Sequence, residues 1–343
     1  MKPIALVTGV VSDHRVEPFR ILAEREGVEV LSWHEPRRYG QLEAARLAGS
    51  GRYRAVIGSL GGRVALPASY LAARRARVPF VLWASLWEHP RSPVHALSFL
   101  PMRAFYRRAD AVATYGPHVT RYVERFRDAG NVFEAPQAVD PAVFGRPVSD
   151  AERAAARDRM GASNEGFLAL FVGRFVPEKG IGTLLQAWAA SSLPTGSALA
   201  FAGAGPLTPS GPDVRVLGQI ERNRLPQLYS AADVLVLPSV ATATFREPWG
   251  LVSNEAMHQG TPVVASDAVG AAAGGLVLDG RTGMVFPAGD ADALATRLTA
   301  LAAAPDLRAR LGAEARRAVA EYTPEHWAEG MSRALAAVGA SRC

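Results

Sequence analysis

The sequence has a single cysteine and no long apolar run. Among its 343 residues that cysteine is Cys343, the last one, so neither a disulfide framework nor a cysteine metal site is expected. This cysteine content fits a reducing compartment, and we expect a cytoplasmic protein. No stretch approaches the ~20 apolar residues of a membrane-spanning helix. The apolar start, residues 1–11, lacks a basic flank and a cleavage site, and we interpret it as a first strand instead of a signal peptide.

Signatures of metal and nucleic-acid binding are also missing. No Asp-x-Asp pair and no cluster of His, Asp or Glu stands at the tips of the predicted strands, so we expect no metal and no other cofactor. The arginines are scattered, and no zinc-finger, basic-zipper or RNA-binding signature occurs, which argues against nucleic acid as a partner. The formal net charge is +6. Such a charge would attract an anionic substrate or membrane surface, but a solvated, arginine-rich surface is the simpler interpretation.

Short apolar runs alternate with longer amphipathic stretches along the chain. The predicted strands are residues 4–10, 28–32, 55–58, 80–84, 111–114 and 132–134 in the first half, and 167–172, 198–202, 214–217, 234–237 and 262–265 in the second. Amphipathic stretches such as residues 16–26, 64–75 and 95–107 separate them, and almost all of residues 291–339 is predicted to be helical. This alternation predicts parallel sheets built from right-handed crossover units.

A segment with two prolines and a glycine, residues 138–150, interrupts this pattern and is predicted to link two domains. We therefore predict an α/β protein with two tandem, doubly wound, Rossmann-like domains, residues 1–145 and 146–324. In such folds ligands bind outside the carboxyl ends of the strands, and we expect the ligand in a cleft between the domains.

One informative motif runs from Phe171 to Gly180 and reads FVGRFVPEKG. Gly173 permits a tight turn at the end of a predicted strand, and Arg174 and Lys179 then stand at the strand tip and at the start of the next helix. A guanidinium fork and an ammonium point charge suit a diphosphate. An exposed loop with ordinary solvated charges explains this motif equally well when it is taken alone.

A second motif runs from Glu247 to Met257 and reads EPWGLVSNEAM. Pro248 is predicted to start a helix, Gly250 permits close approach of the backbone to a ligand, and the free N–H groups of a helix start attract anions. Glu255 is expected one to two turns further along that helix. Two interpretations without a ligand are also open: Glu247 is a first-turn residue that the helix dipole favours, and Glu255 is a solvated residue of the helix surface. Neither explains the Pro-Trp-Gly between them.

Together with Gly203-Ala204-Gly205-Pro206, residues 233–239 and residues 260–267, these two motifs resemble the family-four retaining glycosyltransferases, which have the two-domain GT-B fold. The resemblance covers roughly residues 165–320, and the order and spacing of its motifs are specific. In the first half it is weaker and rests on residues 108–112 and 135–140.

The resemblance implies a role for each matching residue. Arg174 and Lys179 would hold the donor diphosphate, Glu247 would contact hydroxyls of the transferred sugar, and Glu255 would hold the ribose. Of these, Glu247, Arg174 and Lys179 are the candidate catalytic residues. The donor-binding set that the resemblance implies is Gly9, Gly173, Arg174, Lys179, Glu247, Pro248, Trp249, Gly250, Leu251 and Glu255. A last helix, about residues 325–343, would cross back to pack on the first domain.

The first domain departs from the family pattern in two places. Many relatives have a glycine pair in the loop after the first strand, whereas Thr8-Gly9-Val10-Val11 offers one glycine. Many also have a histidine after the fourth strand that meets the donor sugar; here Ser85 lies near that position, and His89 comes four residues late. The candidates on the acceptor and donor-sugar side are therefore Ser85, Trp87, His89 and His118, with His14 as a further option. Trp83 fits either an acceptor platform or the core.

The resemblance implies transfer of a hexose-type sugar from a nucleoside-diphosphate sugar, most often a UDP-sugar, to a hydroxyl of a glycan, glycolipid or metabolite. The leaving group and the new bond would share one face of the sugar. Because many relatives act on lipid-linked acceptors, a peripheral contact with the inner face of a membrane is compatible with it. The oligomeric state is left open.

Three alternatives stand beside this hypothesis. A sugar-nucleotide epimerase or hydrolase would use the same fold without an acceptor, and a non-catalytic protein would only bind the nucleotide sugar. A glycosidase would use Glu247 and Glu255 as its carboxyl pair. Such pairs stand about 5–5.5 Å apart in retaining enzymes, whereas eight positions on one helix span about 12 Å, which disfavours the glycosidase.

Overall fold

The computed structural model describes residues 1–33, 39–128 and 130–342, and Cys343 lies outside this range. The chain forms two compact units. Unit 1 contains Met1–Ala138 together with Tyr322–Cys343, and unit 2 contains Val139–Glu321. Each unit has one six-stranded sheet in which neighbouring strands run parallel. The predicted fold class of two α/β units with parallel sheets is therefore confirmed.

Unit 1 has the sheet order β2-β1-β3-β4-β5-β6. Its strands are β1 Ile4–Thr8, β2 Val28–Ser32, β3 Ala55–Ser59, β4 Phe80–Ala84, β5 Ala111–Thr114 and β6 Val132–Glu134. Its helices are α1 Asp13–Glu26, α2 Gln41–Ala48, α3 Ala65–Ala76, α4 Pro93–Arg108, α5 Pro117–Val123 and α14 Pro324–Ala336. All residues of β1 and β4 are buried. Burial of both sheet faces explains why these strands are continuous apolar runs without alternation.

The α14 helix is an integral part of unit 1. Gly330 lies against β6 so closely that a Cβ atom there would come within 2.1 Å of the Glu134 carbonyl oxygen. Trp327 packs its ring 5.4 Å from Trp83 and 5.6 Å from Phe19, measured between centroids. Trp83, buried in this cluster, is thus a core residue. The expected crossing of the last helix to the first domain agrees with this packing.

Unit 2 has the sheet order β12-β11-β10-β7-β8-β9. Its strands are β7 Leu168–Val172, β8 Ala198–Ala202, β9 Val214–Gly218, β10 Val234–Leu237, β11 Val263–Ser266 and β12 Gly283–Phe286. Its helices are α6 Pro141–Phe144, α7 Asp150–Arg159, α8 Ile181–Ala190, α9 Leu225–Ala231, α10 Val252–His258, α11 Gly270–Ala273, α12 Ala291–Ala303 and α13 Pro305–Val319. Starting from β7, the chain adds strands on one side and then returns to add β10 on the other. The β7–β10 junction is therefore the switch point where such sheets bind ligands.

Some elements differ from the sequence prediction. The first strand ends at Thr8, two residues early. The short helix α2 and the strand β12 were not predicted. The strand was missed because it is only four residues long and lies between glycine-rich turns that indicate a loop. The segment predicted as a linker contains α6, and Gln259 of unit 2 donates a hydrogen bond to the Arg146 carbonyl at 3.0 Å. Among the described residues, no helix is long and apolar enough to cross a membrane.

Candidate functional site

The β7–β10 switch point brings together the two motifs that the sequence singled out. A short turn, Pro177–Lys179, follows β7 and ends at Gly180, which begins α8 in the left-handed conformation with φ of 68°. A Cβ atom at this position would come within 1.8 Å of the carbonyl oxygen of Pro238, the residue after β10. Only glycine combines this φ with so close a backbone approach. Gly180 thereby fixes Lys179 beside the residues that follow β10.

A partly buried ion pair lies at this junction. Lys179 Nζ donates a hydrogen bond to Glu247 Oε2, and the Ser239 hydroxyl donates to the same oxygen at 3.1 Å. Glu247 is only 8% exposed, so these two partners, and little water, contact its carboxylate. An ammonium has three donor hydrogens, of which this contact uses one. The site therefore presents a cation and a fixed carboxylate side by side, a combination that can bind a charged group and a hydroxyl-bearing group together.

The backbone around Glu247 is held by strand-like pairing. Glu247 forms a parallel bridge with Val269, and the Gly270 N–H donates to the Glu247 carbonyl at 3.1 Å. The indole of Trp249 is buried and donates to Asn254 Oδ1 at 2.7 Å. A rigid turn therefore leads from Glu247 into α10, and it consists of Pro248, Trp249, Gly250 and Leu251.

This turn corrects two expectations. The predicted start of a helix at Pro248 is wrong, because Gly250 adopts φ of 93° and α10 begins only at Val252. Glu247 thus lies outside the helix that carries Glu255. The separation of about 12 Å along one helix, used above against a glycosidase pair, does not apply. The two glutamates still differ in their partners, since Glu247 contacts Lys179.

Glu255 lies on α10 and contacts a buried tyrosine. Tyr229 of α9 is fully buried and donates a hydrogen bond from its hydroxyl to Glu255 Oε2 at 2.6 Å. Burial raises the pKa of Glu255 to about 7, although the Tyr229 hydrogen bond and the charge of Arg222 both act to lower it. Burial also raises the pKa of Tyr229 well above its usual value, so the phenol stays protonated. Glu255 is therefore oriented by a neutral donor through one of its two oxygens.

Arg174 stands near a different carboxylate from the one that Lys179 contacts. Its side chain is 66% exposed and one guanidinium nitrogen stands 3.7 Å from Glu178 Oε1. It borders a surface cavity of about 360 Å³ at the carboxyl ends of β7, β8 and β9. The cavity is lined by Val172, Gly173, Arg174, Ala202, Gly203, Ala204, Gln219, Ile220 and Leu225. An exposed guanidinium at the edge of a partly apolar cavity suits a ligand with an anionic part and a flat apolar part.

In unit 1, Gly9 lies at the corresponding switch point between β1 and β3. A Cβ atom at Gly9 would stand 3.4 Å from the Trp33 ring, and one at Gly62 would stand 2.9 Å from it. Gly61 and Gly62, which follow β3, were missed as site candidates. Their signal was a glycine pair in the loop that begins after the predicted strand 55–58, where a close backbone approach is often needed.

The other unit 1 candidates follow β4 and α4. The Trp87 ring packs edge-on against the buried His118, with centroids 5.3 Å apart. His89 Nε2 donates to the His95 carbonyl at 2.7 Å and so supports the start of α4. Ser85 is half-buried after β4. The structure thus brings Trp87 and His118 together, while His89 contacts a helix backbone.

No group of three or more His, Cys, Asp or Glu suitable for a metal ion occurs within the described ranges. An Asp-x-Asp pair, Asp290-Ala291-Asp292, does follow the strand β12 that the sequence pattern did not predict. Its first carboxylate caps α12 by accepting a hydrogen bond from the Ala293 N–H at 2.9 Å. Asp290 therefore has a structural use as the N-cap of α12.

Comparison with known proteins finds a family match that includes both unit 2 motifs. Residues 152–318 match the family described as Glycosyl transferases group 1. A D-inositol 3-phosphate glycosyltransferase of Xylanimonas cellulosilytica is 39% identical over 210 residues, which are 56% of this chain and 48% of that protein. The chain thus spans about half the length of this curated relative.

Two solved structures resemble the chain over almost its whole length. Anabaena HepE in complex with UDP and glucose has a TM-score of 0.76 at 20% identity, and the match covers 98% of this chain and 100% of that one. Sucrose-phosphate synthase of Thermosynechococcus elongatus has a TM-score of 0.74 at 22% identity, covering 97% and 98% of the two chains. At these identities the likeness concerns the fold, and it confirms the predicted GT-B fold.

Proposed function

We propose that this protein is a retaining glycosyltransferase, because residues 152–318 match the family described as Glycosyl transferases group 1. It moves a hexose-type sugar from a nucleoside-diphosphate sugar to an acceptor hydroxyl. UDP is the favoured carrier, since HepE of the same fold is described with UDP and glucose. The observation that carries the proposal is the partly buried Lys179–Glu247 pair at the β7–β10 switch point. It places a cation for phosphate next to a carboxylate for sugar hydroxyls.

In this proposal the negative charge that develops on the leaving diphosphate is met by Lys179 and Arg174. Fixed donors aimed at a developing charge lower the activation barrier more than they stabilise the bound substrate. Glu247 contacts the transferred sugar and Glu255 the ribose, while the cavity beside Arg174 takes the base. The candidate acceptor-binding residues are Trp87 and His118, which contact each other in unit 1. The acceptor is a glycan, glycolipid or metabolite hydroxyl.

The proposed activity is tested by offering nucleotide sugars to the purified chain. We expect nucleoside diphosphates and nucleotide sugars to raise the melting temperature; a ligand at 100 times its Kd stabilises by about 2.7 kcal/mol. Chromatography of the products with and without hydroxyl acceptors then separates transfer from its rivals. Free sugar or an epimer formed equally well without an acceptor would favour an epimerase or hydrolase. If no nucleotide or nucleotide sugar raised the melting temperature, the result would contradict the proposal and would not support an epimerase or hydrolase either.

Arg174 and Lys179 should act on the diphosphate and spare the nucleoside. A charge-assisted hydrogen bond is worth about 1.5–3 kcal/mol, so Arg174→Ala should weaken nucleoside diphosphate binding about tenfold or more and leave nucleoside binding unchanged. Because Arg174 is exposed, the Arg174→Ala variant should have the same melting temperature as the unchanged chain. Lys179→Ala should lose more affinity and also some stability, since it leaves Glu247 buried without its ammonium.

Calorimetric titration with the nucleoside and the nucleoside diphosphate measures both effects. Arg224→Ala is the matched control, because Arg224 is similarly exposed and similarly close to one glutamate, Glu221. Equal losses for nucleoside and nucleoside diphosphate in Arg174→Ala would place this residue outside the phosphate site.

Nucleoside binding should depend on pH through Glu255. The ionised carboxylate accepts hydrogen bonds best, and with a pKa of about 7 it is lost by protonation as the pH falls from about 8 to about 6. We therefore expect nucleoside affinity to fall over this range. Tyr229→Phe removes a donor that favours the ionised form, so the inflection should move to higher pH. Glu255→Gln should show no inflection. An unshifted pH profile in Tyr229→Phe would contradict this role of the tyrosine.

Transfer should need no divalent metal, since side-chain cations meet the diphosphate charge in this proposal. Activity should survive extensive dialysis against a chelator without more than about a twofold loss, and added magnesium or manganese should not raise it. Retention is measured on the same product by the anomeric coupling in its NMR spectrum. Activity abolished by chelator and restored by either metal would rule out the metal-independent mechanism.

A further inference from the structure

The outer face of α4 is unusual for a solvated helix. Leu97 is 83% exposed and Leu100 is 68% exposed, which makes them the two most exposed leucines among the described residues. They are three positions apart and therefore lie on one face. One and two turns further along, Arg103 and Arg107 continue this face, and both are exposed. From Pro93 to Arg108 the helix contains no aspartate or glutamate.

The inner face of α4 already supplies its packing. Tyr106 is 1% exposed and stacks on Phe126 with centroids 5.7 Å apart. Phe99 packs edge-on against Phe126 and His89. The two leucines point away from this cluster and contribute little to the core, so their presence on the surface calls for another explanation. Within the described ranges, neither Arg103 nor Arg107 forms an ion pair.

A groove at the end of α4 extends the basic surface. This cavity of about 710 Å³ is lined by residues of α4 and of the segment that follows α5. Arg103, Arg107, Arg125 and Arg127 line it, with Glu124 and Asp128 as the acidic members. Arg127 donates to the backbone carbonyls of Tyr106 and Ala109, which leaves three arginines to face an anion. Basic residues therefore outnumber acidic ones at this groove.

The excess of positive charge in the chain lies in unit 1, the unit that carries this groove. Unit 1 contains 22 Lys and Arg against 14 Asp and Glu, whereas unit 2 contains 16 against 18. The positive net charge therefore belongs to the unit that carries α4. A flat anionic partner would be attracted to this unit before any close contact forms.

We propose that the outer face of α4, formed by Leu97, Leu100, Arg103 and Arg107, docks on an anionic lipid membrane. The leucines enter the boundary between headgroups and acyl chains, and the arginines contact lipid phosphates. A bilayer suits the combination better than a soluble anion, because a soluble anion would give the leucines nothing to bury against. The proposal concerns one helix of unit 1 and does not depend on the glycosyl transfer proposed above.

Sedimentation of the full chain with vesicles tests the proposal. We expect binding to vesicles that contain about one third phosphatidylglycerol, little binding to pure phosphatidylcholine, and weaker binding as salt is raised. Arg103→Gln with Arg107→Gln should lower the partition coefficient about 30-fold, from about 1 kcal/mol for each arginine near an anionic surface. Leu97→Ser with Leu100→Ser should lower it at least about tenfold.

Matched controls separate the surface from general charge and hydrophobicity. Arg159→Gln with Arg281→Gln removes the same charge from exposed positions of unit 2. Leu71→Ser removes a leucine that is 56% exposed on α3. Both controls should bind vesicles as the unchanged chain does, and thermal melts should confirm that all variants are folded.

Three results would overturn the proposal. The first is no binding of the unchanged chain to anionic vesicles, and the second is an α4 variant that binds as well as its control. The third is dimerisation of the unchanged chain without vesicles, if the double variant Leu97→Ser with Leu100→Ser is a monomer. The outer face of α4 would then bind a second copy of the chain.

Discussion

Glu247→Gln is expected to lower kcat by roughly 100-fold or more while nucleoside diphosphate binding is largely kept. The carboxylate is buried and held by Lys179 and Ser239, so in the proposed role it would meet the transferred sugar in a fixed position. In the proposed transfer, positive charge develops on the sugar ring in an oxocarbenium-like transition state, and a fixed carboxylate would stabilise that state more than the bound substrate. Glutamine keeps the shape but loses the charge, so the loss should appear in kcat.

Glu255→Gln is the comparison variant for this experiment. Ribose does not react, and contacts to it are alike in the ground and transition states, so this change should mainly raise the donor KM and weaken free nucleoside diphosphate. Steady-state kinetics, one titration per variant and circular dichroism distinguish the two patterns. Full kcat in Glu247→Gln together with a lost kcat in Glu255→Gln would reverse the two assignments.

Gly180→Val is expected to disrupt unit 2 as well as the site. A Cβ atom at Gly180 would lie 1.8 Å from the Pro238 carbonyl oxygen, and φ is 68°, a conformation that a β-branched residue strongly disfavours. Backbone at the β7–β10 junction would have to move. We expect a loss of at least about 3 kcal/mol of stability together with loss of nucleotide binding.

Gly182→Ala is the matched control for Gly180→Val. It lies two residues further along, in α8, and a Cβ atom there would meet nothing within 4 Å. Replacing an exposed helical glycine by alanine should stabilise by about 0.5–1 kcal/mol. Chemical denaturation of both variants gives the comparison. A Gly180→Val protein as stable as the unchanged chain would mean that the junction is not rigid.

Most strands and the longer helices could be predicted because their signals are local. Apolar runs such as Leu168–Val172 and Val234–Leu237 are bounded by turn residues, and both lie within one or two residues of the prediction. The placement of Arg174 and Lys179 after β7 follows from the same local pattern. That these residues share an edge with Glu247 follows from the parallel order of the strands.

The rest of the site depends on contacts between residues far apart in sequence. The backbone of Glu247 is set by its pairing with Val269, so the Pro and Gly that indicated a helix start instead form a turn. The contact between Tyr229 and Glu255 joins two helices, and no local pattern indicates it. Lys179 and Glu247 were assigned separate roles from their motifs, whereas the structure pairs them. Spacing alone does not predict such pairing.

Unit 1 is built from two stretches separated by all of residues 139–321. During synthesis on the ribosome, its sheet therefore emerges well before the helix that covers Phe19 and Trp83. At about 5–20 residues per second, this delay is on the order of ten seconds or more. For that time the nascent chain carries an uncovered aromatic surface. Unit 2 can complete its own fold first, so the segment synthesised first is the last to be finished.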